Sequence, residues 1–284
     1  MDLVFRPPGS VQVLWALGGE VTRRLIEAAV DRAIAPVLAE IERDVVVRWG
    51  KAGVHQARPA SGLVAPAFRH YTSRAGTPLL HVHLLVSVKC RRPDGVWGSA
   101  HTAIFFENTV AWSALFNELV MTEVCQALGL ATEPRTVTQG RRPLMELAGI
   151  PHGLIDWLSV RVRHIDQRRT ELEHDYLTFT AIAATEADVG APPCRPAVVS
   201  EATRTALNRI AARQTRPPKP PMPSRSTAYG HPGGPTRYAA SGIAVVDGLL
   251  ARARAAAAVI VPGYATPWWT SRRQPRTSPE LLRS

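Results

Sequence analysis

The 284-residue chain has little cysteine and no long apolar run. Cys90, Cys125 and Cys194 are scattered and odd in number, and none stands in a C-x-x-C pair. This excludes a disulfide framework and a cysteine zinc knuckle, and it suits a reducing cytoplasm. The most apolar late stretch, 255–261, falls far short of the ~20 residues a membrane-spanning helix needs. Arg252 and Arg254 also abut it. Asp2 and Arg6 open the chain with no long apolar segment behind them, which does not read as a signal peptide. A soluble, cytoplasmic protein without membrane insertion is expected.

Acidic residues are scarce at one end. Residues 201–284 hold 13 Lys/Arg against 3 Asp/Glu, a net charge of +10, whereas residues 1–200 hold 21 against 20. The overall charge of +11 thus belongs to the tail, which also carries 11 of the 24 prolines. Such a tail attracts nucleic acid or an anionic membrane without selectivity, so the basic balance says little about the front of the chain. Segments such as 216–225 (RPPKPPMPSR) read as linker. The expected organisation is one domain over 1–178 and a low-order basic, Pro/Arg-rich tail over 179–284. Short helices are expected within that tail at about 200–214 and 243–260.

Within the front domain, 2–6 and 11–17 read as short strands separated by Pro7, Pro8 and Gly9. From Glu20 to about Arg43 the apolar spacing is helical, with Pro36 as a kink or boundary. Residues 44–49, 63–70 and 79–89 read as strands, 91–95 as a turn, 101–129 as a helix ending at Gly129, and 151–173 as a third helix. Strands and helices come in blocks. That pattern predicts an α+β domain with helices packed on a mainly antiparallel sheet.

The most informative segment is 68–89, FRHYTSRAGTPLLHVHLLVSVK. Strand side chains alternate faces, so His81, His83, Leu85 and Ser87 share one face. Leu80, Val82, Leu84, Val86 and Val88 share the other, which must be the core side. If the preceding strand pairs with this one as a hairpin, His70 lies across from the two histidines. Three imidazoles on one face make a divalent-metal site with open positions for water or a phosphate oxygen. An H-x-H pair alone is weak evidence, and solvated or hydrogen-bonded histidines are the alternative reading.

These residues stand in a wider pattern. Residues 2–16 are similar to a segment reading D-x-T-F-S-x-P-K-S-V-S-V, and 68–83 to F-x-H-x-T-S-R-x-x-x-P-x-L-H-x-H. Asp94, Gly95 and Trp97 match the turn that follows. Glu118, Leu119, Leu128 and Gly129 match the next helix, and Glu146–Ile150 with Ser159 and Arg161 match the segment after it. A weaker echo is Gln214-Thr-Arg216 with Lys219. Over about residues 2–175 the chain resembles the relaxase domain of TrwC/TraI-type (MobF) conjugative proteins, in the HUH endonuclease superfamily.

The resemblance implies nicking and strand transfer of single-stranded DNA at an origin of transfer, with relaxosome proteins as possible partners. It assigns His70, His81 and His83 as ligands of a divalent metal, Mg, Mn or Zn. Asp2 matches the acidic residue that assists deprotonation of the attacking tyrosine or orients a ligand histidine. Arg69, Arg74, Arg91 and Arg92, near the histidine face or its turn, are candidate phosphate contacts. Solvated surface arginines are the plainer reading of all four. Trp268 and Trp269 beside Arg272 and Arg273 could stack bases, with an exposed tail pair of no function as the alternative.

Two departures qualify this. Gly9 stands where the family usually has lysine. The family's tyrosines precede the segment that Asp2 opens, and here only Met1 does. Tyr71 is sent to the face opposite His70, and Tyr176, Tyr229, Tyr238 and Tyr264 come late in the chain. The expectation is an N-terminally truncated relaxase with impaired or no covalent activity. The alternative is a non-catalytic protein that binds metal and single-stranded DNA. A hydrolase acting through activated water ranks last.

Overall fold

The computed structural model describes residues 1–137, 143–187, 198–218 and 248–261. They fall in two compact units, one of Met1–Thr72, Pro78–His152 and Gly230–Ser284, the other of Ser73–Thr77 and Gly153–Tyr229. Cys194, Lys219, Tyr229, Tyr238, Tyr264, Trp268, Trp269 and the 243–247 part of the last expected helix lie outside the described residues.

The first unit is built on a three-stranded antiparallel sheet in the order β1 (Asp2–Phe5), β5 (Pro78–Leu85), β4 (Ala67–Thr72). Strand β5 runs through its centre and its apolar face is the core. Leu80, Val82, Leu84 and Val86 are all buried, each contributing roughly 1.5–3 kcal/mol by burial. Helices α1 (Gly9–Leu17), α2 (Glu20–Asp44) and α3 (Ala103–Leu128) supply much of the rest of that core. Phe5 of β1 meets Phe116 of α3 with ring centroids 5.3 Å apart, and Trp15 of α1 stacks on Tyr71 of β4 at 6.0 Å. Gly129 ends α3 in the left-handed conformation, as a glycine after a helix does.

Three shorter strand pairs complete the unit. They are β2 (Val47–Trp49) with β3 (His55–Ala57), β6 (Lys89–Arg91) with β7 (Trp97–Ser99), and β8 (Thr132–Arg135) with β9 (Leu144–Leu147). All pairs among the described residues are antiparallel. The α+β expectation therefore holds. The thiols of Cys90 and Cys125 are free.

Several element expectations need correction. Residues 11–17 are not a strand but most of α1, in which every residue from Ser10 to Leu17 is buried. A segment buried all round is mostly apolar on every side, here with Ser10 and Gln12 as the polar exceptions, so neither a period of 2 nor one of 3.6 stands out. Pro8 sits at its N-cap with an extended backbone, just ahead of the first helical turn. Helix α2 passes through Pro36 without a boundary and takes in Asp44. The strand expected over 79–89 ends at Leu85, and 89–91 is a separate strand. The helix expected over 151–173 is two, α4 (His152–Leu158) and α5 (Val160–Ala187).

The second unit packs α5 with α6 (Glu201–Gln214). Ser200 caps α6 by accepting from the Thr203 amide at 3.1 Å. Arg161 donates to the Ala212 and Thr215 carbonyls at the other end of α6, at 2.7 and 3.0 Å. The motif arginine at 161 thus serves a helix terminus. The helix α7 (Leu249–Ile260) of the first unit corresponds to the described part of the 243–260 expectation. No helix among the described residues is long and apolar enough to cross a membrane.

Candidate metal centre

The register of β4 on β5 sets His70 directly opposite His81, and Phe68 opposite His83. Alternation on β5 keeps His81 and His83 on one face, away from buried Leu80, Val82 and Leu84. The three rings converge. Their centroids lie 5.2 Å apart for His70–His81, 4.6 Å for His70–His83 and 5.1 Å for His81–His83. One nitrogen from each lies within 4.8 Å of the others, in a cluster whose members range from exposed (His70) to buried (His81).

Two of the rings are held by acceptors on their far side. His81 Nδ1 donates to the Leu79 carbonyl at 2.8 Å. His83 Nδ1 donates to both oxygens of Asp2, at 2.9 and 3.0 Å. Asp2 reaches it because β1 pairs antiparallel with β5, placing Val4 opposite His83 and Asp2 opposite Leu85. A carbonyl and a carboxylate only accept, so both Nδ1 atoms carry a proton, and Nε2 is the ring atom left to ligate a metal. Carboxylate and carbonyl partners of this kind orient metal-binding histidines and raise their basicity.

Burial holds the His70 imidazole below the ordinary histidine value, and a charged His83 beside it acts in the same sense, with Asp2 opposing. His81 is also held low, first by burial, then by the charges of His70, His83 and Arg6, against the hydrogen bond to Leu79. Both rings therefore favour the neutral form that binds a metal ion. Three imidazoles at this spacing, two of them braced, fit a divalent cation.

The backbone that carries His81 is clamped by Gln12. Its side-chain amide donates to the Leu80 carbonyl at 2.6 Å and accepts from the Leu80 amide at 2.9 Å. Strand β1 pairs only as far as Phe5 with Val82, and the Gln12 side chain takes up the backbone just beyond. Helix α1, which holds Gln12, is fastened by buried Glu146, accepting from the Ser10 amide at 2.8 Å and its hydroxyl at 2.6 Å. Neither Gln12 nor Arg6, the cation acting on His81, was visible as a site residue in the sequence. Gln12 lay hidden in a run that read as strand.

The four candidate arginines stand on different elements. Arg69 is on the face of β4 opposite His70, because neighbouring strand residues point opposite ways. There it pairs with Glu27 at 3.1 Å and with Asp31. The expectation that it borders the histidine face does not hold. Arg74 is exposed in the turn between β4 and β5. Arg91 and Arg92 stand on or beside β6, in a different strand pair from the histidines, and Arg92 pairs with Asp94. Tyr71 takes the same side as Arg69, over Trp15, away from the three imidazoles.

Braced histidines on one face of an antiparallel sheet make a candidate metal site in a protein of α+β class, and comparison with known proteins specifies the class further. The TrwC relaxase family profile matches residues 1–229, and the chain belongs to that family. The multifunctional conjugation protein TraI of Escherichia coli is 32% identical over 158 residues, and that of strain K12 is 31% identical. These matches take in 53% of this chain, which spans only 8% of the length of either relative. The conjugative relaxase TrwC in complex with OriT DNA, in its metal-bound structure, superposes with a TM-score of 0.55 at 22% identity, over 91% of this chain and 71% of that one. TrwC complexed with a 27-mer DNA comprising the recognition hairpin and the cleavage site gives 0.52 at 24% identity, over 91% and 72%. At such identities these likenesses establish a shared fold.

Proposed function

We propose that this chain is a conjugative relaxase module, which binds single-stranded DNA at an origin of transfer and takes part in nicking and transferring that strand. The observation that carries this reading is the convergence of His70, His81 and His83 beside Asp2 in a chain of the TrwC relaxase family. The three histidines would hold the divalent metal, Mg, Mn or Zn. Bound there, it would polarise a scissile phosphate and offset charge building on its oxygens.

The chain's own residues have separate duties in this reading. Asp2 fixes the tautomer and direction of His83. Gln12 and the Leu79 carbonyl fix His81. Arg74 and Arg91 are phosphate contacts, whereas Arg69 and Arg92 must exchange their carboxylate partners to serve as such. The DNA-processing role is assigned to 1–178, with 179–284 as a basic adjunct. A cytoplasmic location and relaxosome proteins as partners complete the proposal.

A second reading is metal and single-stranded DNA binding without covalent chemistry. It is favoured by the placement of Tyr71 on the far side of β4 from the histidines. A labelled single-stranded origin oligonucleotide incubated with the chain and each metal separates the two. A covalent 5′ adduct that is lost in His81→Ala supports the relaxase. Binding without cleavage supports the second reading. Free 5′ phosphate ends without an adduct point to hydrolysis, and absence of both binding and cleavage overturns all three.

A further inference from the structure

Residues 45–101 contain eight Lys/Arg and a single acid, Asp94. The near-neutral front of the chain is therefore locally polarised. Part of this charge is gathered on one sheet face. Strands β2 and β7 adjoin through the Val47–Ala100 bridge, and the His101 amide donates to the Val46 carbonyl at 2.8 Å. With the β2–β3 and β6–β7 pairs this gives a four-strand surface in the order β3, β2, β7, β6.

Alternation sorts its side chains. Val47, Cys90 and Ala100 point inward and are buried. Arg48, Gln56, Lys89, Arg91, Trp97 and Ser99 take the other face, and all six are exposed. Across the strands Arg48 faces Gln56, Lys89 faces Ser99 and Arg91 faces Trp97. The Arg91 guanidinium stands 5.9 Å from the Trp97 ring centroid, yet that indole remains 63% exposed. The one acid, Asp94, is occupied by Arg92 in the β6–β7 turn.

A face kept only for solubility mixes charges of both signs and avoids a bare tryptophan. This one has three cations, no acid and no aliphatic side chain. We propose that it binds single-stranded DNA, with phosphates on Arg48, Lys89 and Arg91 and one base stacked on Trp97. Naming DNA as the polymer rests on the relaxase reading above. An indole π-face is reached by an unstacked base and not by one inside a duplex. A membrane surface would call for an apolar stripe, which this face lacks.

The test is fluorescence anisotropy with a labelled oligothymidylate over a range of salt. Trp97→Ala weakens binding by about 5–150-fold, the loss of one stacked base, and Trp97→Phe recovers most of it. The triple change Arg48→Ala, Lys89→Ala, Arg91→Ala lowers the slope of log affinity against log salt by about 2, as three lost phosphate contacts require. Metal affinity measured by calorimetry stays unchanged in these variants, which shows that the fold is intact.

Unchanged affinity and slope in both variants would overturn the proposal. So would equal losses on a duplex of the same length, or binding to phosphatidylserine vesicles in preference to DNA. Because the probe carries no origin sequence, absence of any origin adduct sinks the relaxase reading and leaves this result standing. Intact origin nicking with a neutral Trp97→Ala sinks only the sheet face.

Discussion

The Gln12 side chain and the Leu80 backbone satisfy one another completely on the β1 side of β5. One amide gives a donor and an acceptor, and one residue's N–H and C=O receive them. The pairing joins a helix near the start of the chain to the strand that carries two of the three histidines, and it lies one residue from His81.

Gln12→Ala leaves both Leu80 groups buried and unpaired. With ~1–3 kcal/mol for each orphaned group, the unit should lose about 2–6 kcal/mol in urea unfolding. Hydrogen exchange at the Leu80 amide should accelerate in the same variant. A loss under ~0.5 kcal/mol would show that water replaces the clamp without cost.

Removing His81 or His83 should abolish metal binding in isothermal calorimetry, because two imidazoles hold a divalent ion far less firmly than three. Undiminished affinity in both single alanine variants would rule the cluster out as the metal site.

Asp2→Ala should weaken metal affinity about 10–100-fold, the usual effect of losing a carboxylate behind a ligand histidine. Its effect on apo stability should be small, about 0–1 kcal/mol, since the pair is solvent-screened. A large loss of stability with metal affinity unchanged would make Asp2 a structural residue.

The pH dependence has a definite sign. His70 and His81 are held below their ordinary value in the folded chain, so the unfolded chain binds more protons. Apo stability should be flat above the ordinary histidine pKa of about 6.5. It should fall as pH drops below that, until the lowered folded values are passed. Metal affinity should fall over the same range through proton competition. Thermal melts from neutral to mildly acidic pH check this, and a stability that rises on acidification contradicts it.

Gly149→Ala tests the packing of α7. Gly149 has a φ of +76°, and an added Cβ would come within 2.9 Å of the Ala256 Cβ and 3.0 Å of the Arg252 carbonyl. The backbone conformation alone should cost about 1–3 kcal/mol. A melting temperature equal to that of the parent protein would show that α7 shifts freely.

Much of the metal centre was legible because it depends on local geometry. Alternation along β5 put His81 and His83 together and turned Leu80, Val82 and Leu84 to the core, and this required only the order of residues. The hairpin that brings His70 opposite His81 was an inference from two adjacent strand patterns separated by a turn-rich stretch. The same alternation, applied to Arg69, would have placed it away from the histidines.

Other features depended on contacts that no local pattern encodes. Asp2 and His83 are 81 residues apart, and Gln12 and Leu80 are 68 apart. The run 11–17 is apolar apart from Gln12 and buried throughout, and its packing against α2, β5 and β9 makes it helix α1 and not a strand. The local excess of positive charge between 45 and 101 was present in the sequence. That Arg48 shares a face with Trp97 was decided by the bridge between β2 and β7, a contact set by packing across about fifty residues. The amino-acid order thus settled which imidazoles could meet. The tertiary structure settled what braces them, because strand period is a property of neighbours whereas a brace is a contact between distant parts of the chain.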